Sequence, residues 1–312
     1  MNDNSIIIIT RGGVGDVIVC TPVFKTLKET YPERKLIVYC RMKSHKSLLL
    51  NNPYIDSLRM LKIAAMWRYP GHLYAYLFNT EKIKYYDLLF QWITPSHLFP
   101  DDYNIKDLVY DMFDDLNIKS DNPKTQLYFT EKEEKKARMT LAPYKNVVMM
   151  HVHSRSSRNH HWTIEKWEAL VKSLPEYTFI QLGWVDEERV PGALDWRGKT
   201  NIRDAFCMLK HADSFVGIES SIAHATNAVD LPGVVLFGDS GPGLWGHDNN
   251  INIYKKVRCS PCYFYLWYDP CPYNHECMNL ITVEEVRNAL IQQMEKKKRK
   301  TAVPANLELA GI

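Results

Sequence analysis

The stretch from Ile6 to Pro32, IIIITRGGVGDVIVCTPVFKTLKETYP, constrains the fold more than any other part of the chain. Four consecutive isoleucines favour a strand buried on both faces, because β-branched side chains suit a pleated, covered sheet. Gly12, Gly13 and Gly15 then place three glycines in four positions, and a helix-like segment follows. A strand, a glycine turn and a helix in that order open a β/α unit whose next strand runs parallel to the first. The spacing predicts a strand over Ser5–Thr10, a helix over Pro22–Thr30, the next strand over Lys35–Cys40 and a short helix over Ser44–Asn51.

The layout is that of a phosphate loop, but the chemistry differs. A dinucleotide fingerprint needs a third glycine where Ile18 stands, and a P-loop needs Gly-Lys-Ser/Thr, which is missing. Asp16 occupies the helix start, where the dipole and bare N–H groups favour a carboxylate, and that carboxylate would repel a phosphate beside it. Asp16 therefore reads in two ways. It is an N-terminal cap, or it is a base or hydroxyl acceptor at the carboxyl edge of the sheet, where α/β ligands bind.

A second alternation starts at Asn146. VVMMHVHS is a strand entering the polar loop SRSSRNHHW, and Thr163 opens the helix TIEKWEALVKSL. YTFIQLG is a strand ending on Gly183; Ile202–His211 is a helix, SFVGI a strand, Ser221–Val229 a helix and GVVLFG a strand. Two tandem β/α domains follow, 1–144 and 145–290, with a basic, solvated and partly disordered tail over 291–312. A length of 312 residues agrees with two domains at roughly 100–200 residues each. The later part of the first domain holds an aromatic stretch (60–100), read as packing or as a binding wall, a helix over Asp107–Leu116, an extended 118–130 and a charged helix over Glu131–Leu141.

Two loops leave the carboxyl ends of strands in the second domain. Ser154, Arg155, Arg158 and His160 combine hydroxyls and cations suited to phosphate oxygens. In GIESSIAHATNAVDLPGVVLFG, Glu219 arrives at a strand end, Ser220 and Ser221 open a helix, and His224 lies one turn in. A hydroxyl-rich helix start suits a diphosphate, and Glu219 suits a sugar or ribose hydroxyl. A capped helix and a solvated basic loop are the plainer alternatives.

Cys259, Cys262, Cys271 and Cys277 fall within nineteen residues, opening on Cys-x2-Cys. Clustered thiols of this kind suit a closed structural zinc or iron site, with free thiols or disulfides as alternatives. Cys20, Cys40 and Cys207 sit in apolar runs and read as core. A net charge of +3 argues against a nucleic-acid partner. No targeting segment and no run of ~18 apolar residues is evident, so a cytoplasmic protein is expected, with weak contact at the inner face of the membrane through the basic tail.

Three segments together resemble glycosyltransferase family 9, the ADP-heptose:lipopolysaccharide heptosyltransferases and their relatives. They are GGVGDVIVCTPVFKTLKETYP, GIESSIAHATNAVDLPGVVLFGDSGPGLWG and CSPCYFYLWYDPCPYNHECMNLITVEEV. The resemblance implies a GT-B fold, two Rossmann-like domains with a cleft between them. It implies an inverting transfer that requires no cofactor, from a nucleoside-diphosphate sugar (ADP-heptose as the family default) to a hydroxyl of a lipopolysaccharide, another surface glycan or a protein. Asp16 would be the general base. The chain departs from the family where Glu219-Ser220-Ser221 replaces Asp-Thr/Ser-Gly, and where His160 replaces a lysine. A catalytically impaired nucleotide-sugar binder, or a metal-stabilised module that forms an oligomer, are the competing readings.

Overall fold

The computed structural model describes residues 5–10, 12–61, 85–87, 109, 113–114, 116–121, 123–154, 157, 159–262 and 271–302. The aromatic stretch lies almost wholly outside these residues, as do most of the helix expected over Asp107–Leu116 and the arginines Arg155 and Arg158.

The chain divides into two compact units, residues 1–134 with 243–245, and residues 135–242 with 246–312. In the first, β1 (Ser5–Thr10) leads through the glycine turn into α1 (Val14–Val19) and α2 (Thr21–Thr30). The helix expected over Pro22–Thr30 is α2, and α1 precedes it as a separate short helix. The break falls at Cys20, ahead of Pro22, which has no N–H to continue the ladder. Then come β2 (Lys35–Cys40), α3 (Lys43–Leu49), β3 (Ser57–Met60) and β4 (Tyr85–Asp87). The sheet order is β3-β2-β1-β4, all parallel. Ile6–Ile9 are buried because β1 is an inner strand covered on both faces.

α4 (Glu131–Leu141) spans the division, which falls at 134/135 where the sequence reading put it at 144/145. Thr130 and Glu133 form a reciprocal cap at its start, Glu133 Oε2 accepting from Thr130 N at 2.7 Å and Thr130 Oγ1 from Glu133 N at 3.3 Å.

The second unit contains β5 (Val147–His151), α5 (Ile164–Lys172), β6 (Thr178–Gln181), β7 (Leu194–Asp195), α6 (Ile202–Lys210), β8 (Ser214–Ile218), α7 (Ser221–Ala228), β9 (Gly233–Phe237), α8 (Pro242–Trp245), β10 (Asn250–Tyr254), α9 (Glu276–Asn279) and α10 (Val283–Ala302). The six strands are parallel in the order β10-β9-β8-β5-β6-β7. Strand order therefore reverses between β5 and β8, the crevice where doubly wound sheets bind ligands. Gly217 is required beside that crevice, since a Cβ there would strike the carbonyl of His151 on the neighbouring strand.

Of the tail expected over 291–312, residues 291–302 belong instead to α10, which continues to Ala302, and 303–312 lie outside the described residues. Val286, Leu290 and Met294 form one buried stripe, and Gln293 Nε2 donates to Gly233 O at 2.8 Å and Asn249 O at 3.1 Å. That stripe docks the helix past residue 291, and the lysines beyond are adequate helix formers. Among the described residues, no helix is long and apolar enough to cross a membrane.

Candidate functional site

At the carboxyl end of β1, Gly12 has φ +71°, a left-handed conformation natural to glycine. A Cβ there would collide with the Asp16 carboxylate. Gly13 is the N-cap of α1, and its N–H donates to Asp16 Oδ2 at 2.5 Å. The cap reading of Asp16 is therefore realised, with the carboxylate folded over the glycine turn. Gly15 lies in the first turn of α1. Beneath the loop, buried His45 places Nδ1 2.9 Å from Thr10 Oγ1, and burial pushes its imidazole down to about 4 against the opposing effect of the Gly12 backbone.

The second constellation lies at the crevice between β5 and β8. Ser220 is the N-cap of α7, but its side chain makes no capping hydrogen bond. The Ser220 hydroxyl lies instead 3.2 Å from His151 Nδ1 at the end of β5. The α7 start, which Ser221 opens, so keeps the positive end of its dipole uncapped by the Ser220 hydroxyl.

Glu219 is held between two histidines. Oε1 is 3.6 Å from His224 Nε2, Oε2 is 3.8 Å from His160 Nδ1, and Ser240 Oγ donates to Oε2 at 3.4 Å. Its side chain is only 14 % exposed. Burial alone would raise its carboxyl, but the His224 hydrogen bond and the charge of His160 outweigh it and hold it below the usual carboxylate range.

His160 is buried, and its Nε2 forms an ion pair with buried Asp239, which also accepts from Ser157 Oγ. Burial alone would lower this imidazole, but the Asp239 hydrogen bond and the charges of Asp239 and Glu219 raise it above the ordinary histidine value. His224 in turn meets His247, Nδ1 to Nε2, at 2.8 Å. Burial and the neighbouring His224 push His247 well down, so it stays neutral.

Gly183, just past the end of β6, has φ +140°, and its missing Cβ leaves room for the Glu187 carboxylate, whose Oε2 is 3.9 Å from His151 Nε2. Arg197 pins this turn by donating to the Glu187 carbonyl while Asp195 grips the guanidinium through both oxygens. Ser154 is half-buried in the loop after β5.

Of the expected second-domain residues, the structure brings together His160, Glu219, Ser220, Ser221 and His224. Asp239, Ser240, His247, His151, Ser157 and Glu187 were missed. Asp239 and His247 are acid and imidazole placed shortly after a strand end, GDSGPGLWGH, and that position was the available signal.

The cysteine loop hangs on the same loops. Ser260 Oγ donates to Gly238 O at 3.0 Å, Trp162 Nε1 to Ile281 O at 3.0 Å, and Lys166 Nζ to Asn279 O at 2.7 Å. Burial pushes Cys262 up to about 12, aided by Asp239 and the three other thiols of the cluster, and Cys277 up to about 11. The four sulfurs thus share one neighbourhood. As placed, however, no three His, Cys, Asp or Glu side chains among the described residues are arranged to grip one ion. The expected four-thiolate centre is not formed by these positions.

Two doubly wound α/β units, with a polar crevice and an uncapped helix start in the second, define the class: a glycosyltransferase of the GT-B fold. The sequence profile of Glycosyltransferase family 9 (heptosyltransferase) matches residues 101–265, more than half the chain, and the chain belongs to that family. Three solved proteins share the fold. A family 9 glycosyltransferase from Veillonella parvula DSM 2008 is 15% identical with a TM-score of 0.69, over 94% of this chain and 98% of that one. The E. coli ADP-heptose lps heptosyltransferase II is 15% identical with a TM-score of 0.68, over 94% and 99%. TibC from enterotoxigenic E. coli H10407, an iron-containing dodecameric glycosyltransferase, is 15% identical with a TM-score of 0.63, over 94% and 77%. TibC has also been solved with ADP-D-beta-D-heptose. No curated protein matches the chain by sequence.

Proposed function

We propose that this glycosyltransferase moves a sugar, with inversion, from a nucleoside diphosphate to a hydroxyl of a glycan or protein. The observation that carries the reading is the start of α7. Its N-cap hydroxyl is turned toward His151, and Glu219 stands beside it, ionised and mostly buried. An uncapped helix N-terminus suits a diphosphate, and an acceptor-only carboxylate next to it suits a sugar or ribose hydroxyl. Asp16 takes the proton of the acceptor hydroxyl as that oxygen attacks the anomeric carbon; the bond to the diphosphate breaks, and α7 N–H groups stabilise the charge that leaves. Heptosyltransferase relatives solved with ADP-heptose favour that donor, and lipopolysaccharide core is the acceptor class that goes with it. The reaction so written needs no cofactor, and it runs in the cytoplasm at the inner face of the membrane.

The four cysteines form a separate, structural proposal. Zinc or iron there would have to draw the sulfurs inward and strip protons from thiols now held up by burial. Elemental analysis of anaerobically prepared protein against Cys262→Ser decides it, and an oligomer like that of TibC is checked by the mass of the same samples in solution.

A second reading has one observation behind it. The charge of His160 is already matched by Asp239 and Glu219, so it does not clamp a diphosphate as a free lysine would. A binder that turns over slowly would follow. A thermal-shift screen of nucleoside diphosphates and nucleotide sugars, followed by transfer assays with Asp16→Ala, separates the two. A ligand at a hundred times its Kd adds about 2.7 kcal/mol of stability. Equal turnover by wild type and Asp16→Ala removes Asp16 from the mechanism.

A further inference from the structure

The buried contact between His224 and His247 has no part in the reaction proposed above. Both rings are almost inaccessible, at 4% and 5% exposure. Their nitrogens, Nδ1 of His224 and Nε2 of His247, stand 2.8 Å apart. Two imidazole nitrogens at that distance share one hydrogen, so one ring donates and the other accepts. Glu219 decides which. Its Oε1 lies 3.6 Å from the other nitrogen of His224, Nε2. If His224 donated to His247 while neutral, it would turn a bare lone pair toward an ionised carboxylate. If His247 donates, His224 carries its hydrogen on Nε2 and presents it to Glu219.

His247 is itself fixed from the backbone. Its carbonyl accepts from Asn250 N at 3.1 Å and from Asn252 Nδ2 at 3.3 Å, which anchors the segment between α8 and β10. The segment so anchored carries the His247 ring that meets His224.

We propose that His247 is a positioning residue: it donates to His224, fixes His224 as the donor to Glu219, and so holds Glu219 as an acceptor for a hydroxyl of the nucleotide sugar. The inference rests on the α7 site being the donor site. Its chemical content is specific. Glu219 keeps both oxygens as acceptors, and His224 and Ser240 supply hydrogens from the protein side.

The test has two independent arms. The first uses the ligand-free protein and long-range proton–nitrogen spectra of the histidine rings. In wild type, His224 is expected as the Nε2–H tautomer alone. Glu219→Gln and His247→Phe should each give a mixture, whereas His247→Gln, which keeps an N–H donor, should restore the single form. A His224 tautomer unchanged in both Glu219→Gln and His247→Phe overturns the relay. This arm stands even where no nucleotide binds, which would instead sink the donor-site reading.

The second arm is calorimetry with a nucleoside diphosphate and its matching nucleotide sugar. His247→Phe is expected to weaken binding about tenfold, the scale of one lost hydrogen bond to a charged group, with recovery in His247→Gln. A loss confined to the nucleotide sugar assigns the hydroxyl to the sugar; a loss shared by both ligands assigns it to the ribose. Wild-type affinity in His247→Phe for both ligands overturns the positioning role.

Discussion

Asp16 folds back over the turn that precedes it, and its Oδ2 accepts the Gly13 N–H at 2.5 Å. One carboxylate therefore both caps α1 and stands at the carboxyl end of β1. The two roles separate by substitution. An asparagine in its place can still accept from Gly13 but cannot take a proton. Asp16→Asn is expected to keep the wild-type melting temperature and lose about 10²- to 10⁴-fold in kcat, the usual scale of general-base catalysis. Asp16→Ala loses the cap as well and should cost about 1 kcal/mol of stability besides. Activity retained by Asp16→Asn would leave the residue as a cap alone.

Much of the fold was legible in sequence, for a physical reason. Ile6–Ile9, Val147–Met150 and Val234–Phe237 are apolar runs because inner parallel strands are buried on both faces. The weak strands were not legible. Ser57–Met60 and Asn250–Tyr254 lie at sheet edges, half-exposed and mixed in composition, so their signal is diluted. The basic end of the chain looked like a tail because lysines dominate it, while the stripe that docks α10 consists of single residues a turn or so apart. At the site, motif residues were found because they sit at strand ends. Asp239 and His247 were missed because their meaning lies in partners 79 and 23 residues away, His160 and His224. Local spacing carries no trace of such pairs.

The pairing of His160 with Asp239 gives stability a pH dependence on the alkaline side. The folded imidazole is raised above its ordinary 6.5, since Asp239 and Glu219 outweigh burial. The folded state therefore binds the proton more tightly than the unfolded chain does. The contribution is full below 6.5, shrinks as pH rises, and is gone above the raised folded value. Urea midpoints are expected to decline as pH rises above about 6.5, the unfolded histidine value, and the first pH unit of that decline precedes the thiol range near about 8.5. Asp239→Asn should flatten that decline. A decline unchanged in Asp239→Asn would assign it to other groups.

Two other histidines act on the acid side with the opposite sign. Burial pushes His45 and His151 down to about 4, so both stay neutral in the folded state while the unfolded chain protonates them below 6.5. Stability is full above that value and falls as pH drops toward the folded values, by about 1.4 kcal/mol per pH unit for each histidine. Comparing chemical denaturation at about pH 7 and about pH 5, on either side of the unfolded histidine value, tests this. His45→Gln should reduce the slope by close to one proton, and an unaltered slope would remove His45 from the account.

Trp162 ties the loop after β5 to the segment before α10. Its ring meets Trp167 edge-on at 4.5 Å between centroids, and its Nε1 donates to Ile281 O at 3.0 Å. The same carbonyl also accepts from Lys166 at 3.0 Å, so removing the indole N–H does not orphan it. Trp162→Phe is therefore expected to cost about 1 kcal/mol, the net value of one hydrogen bond. Trp162→Ala leaves a cavity among fully buried neighbours and should cost about 3–5 kcal/mol. Denaturation curves measure both, and equal losses would show that the hydrogen bond lost in both variants decides and that the cavity adds nothing.

Ser221 separates folding from binding at the α7 start. A carboxylate in the first turn of a helix complements its dipole, so Ser221→Asp should leave the free protein within about 1 kcal/mol of wild type or slightly above it. The same charge beside a diphosphate repels it, and two unit charges about 4 Å apart interact by about 1 kcal/mol even in bulk water and by more near a protein surface. Affinity for a nucleoside diphosphate is expected to fall by about tenfold or more, a change of ~1.4 kcal/mol per factor of ten. The unequal response is the point of the test: a helix that is no less stable and a ligand that is held less well. Wild-type affinity by calorimetry in a folded Ser221→Asp protein would move the diphosphate away from α7.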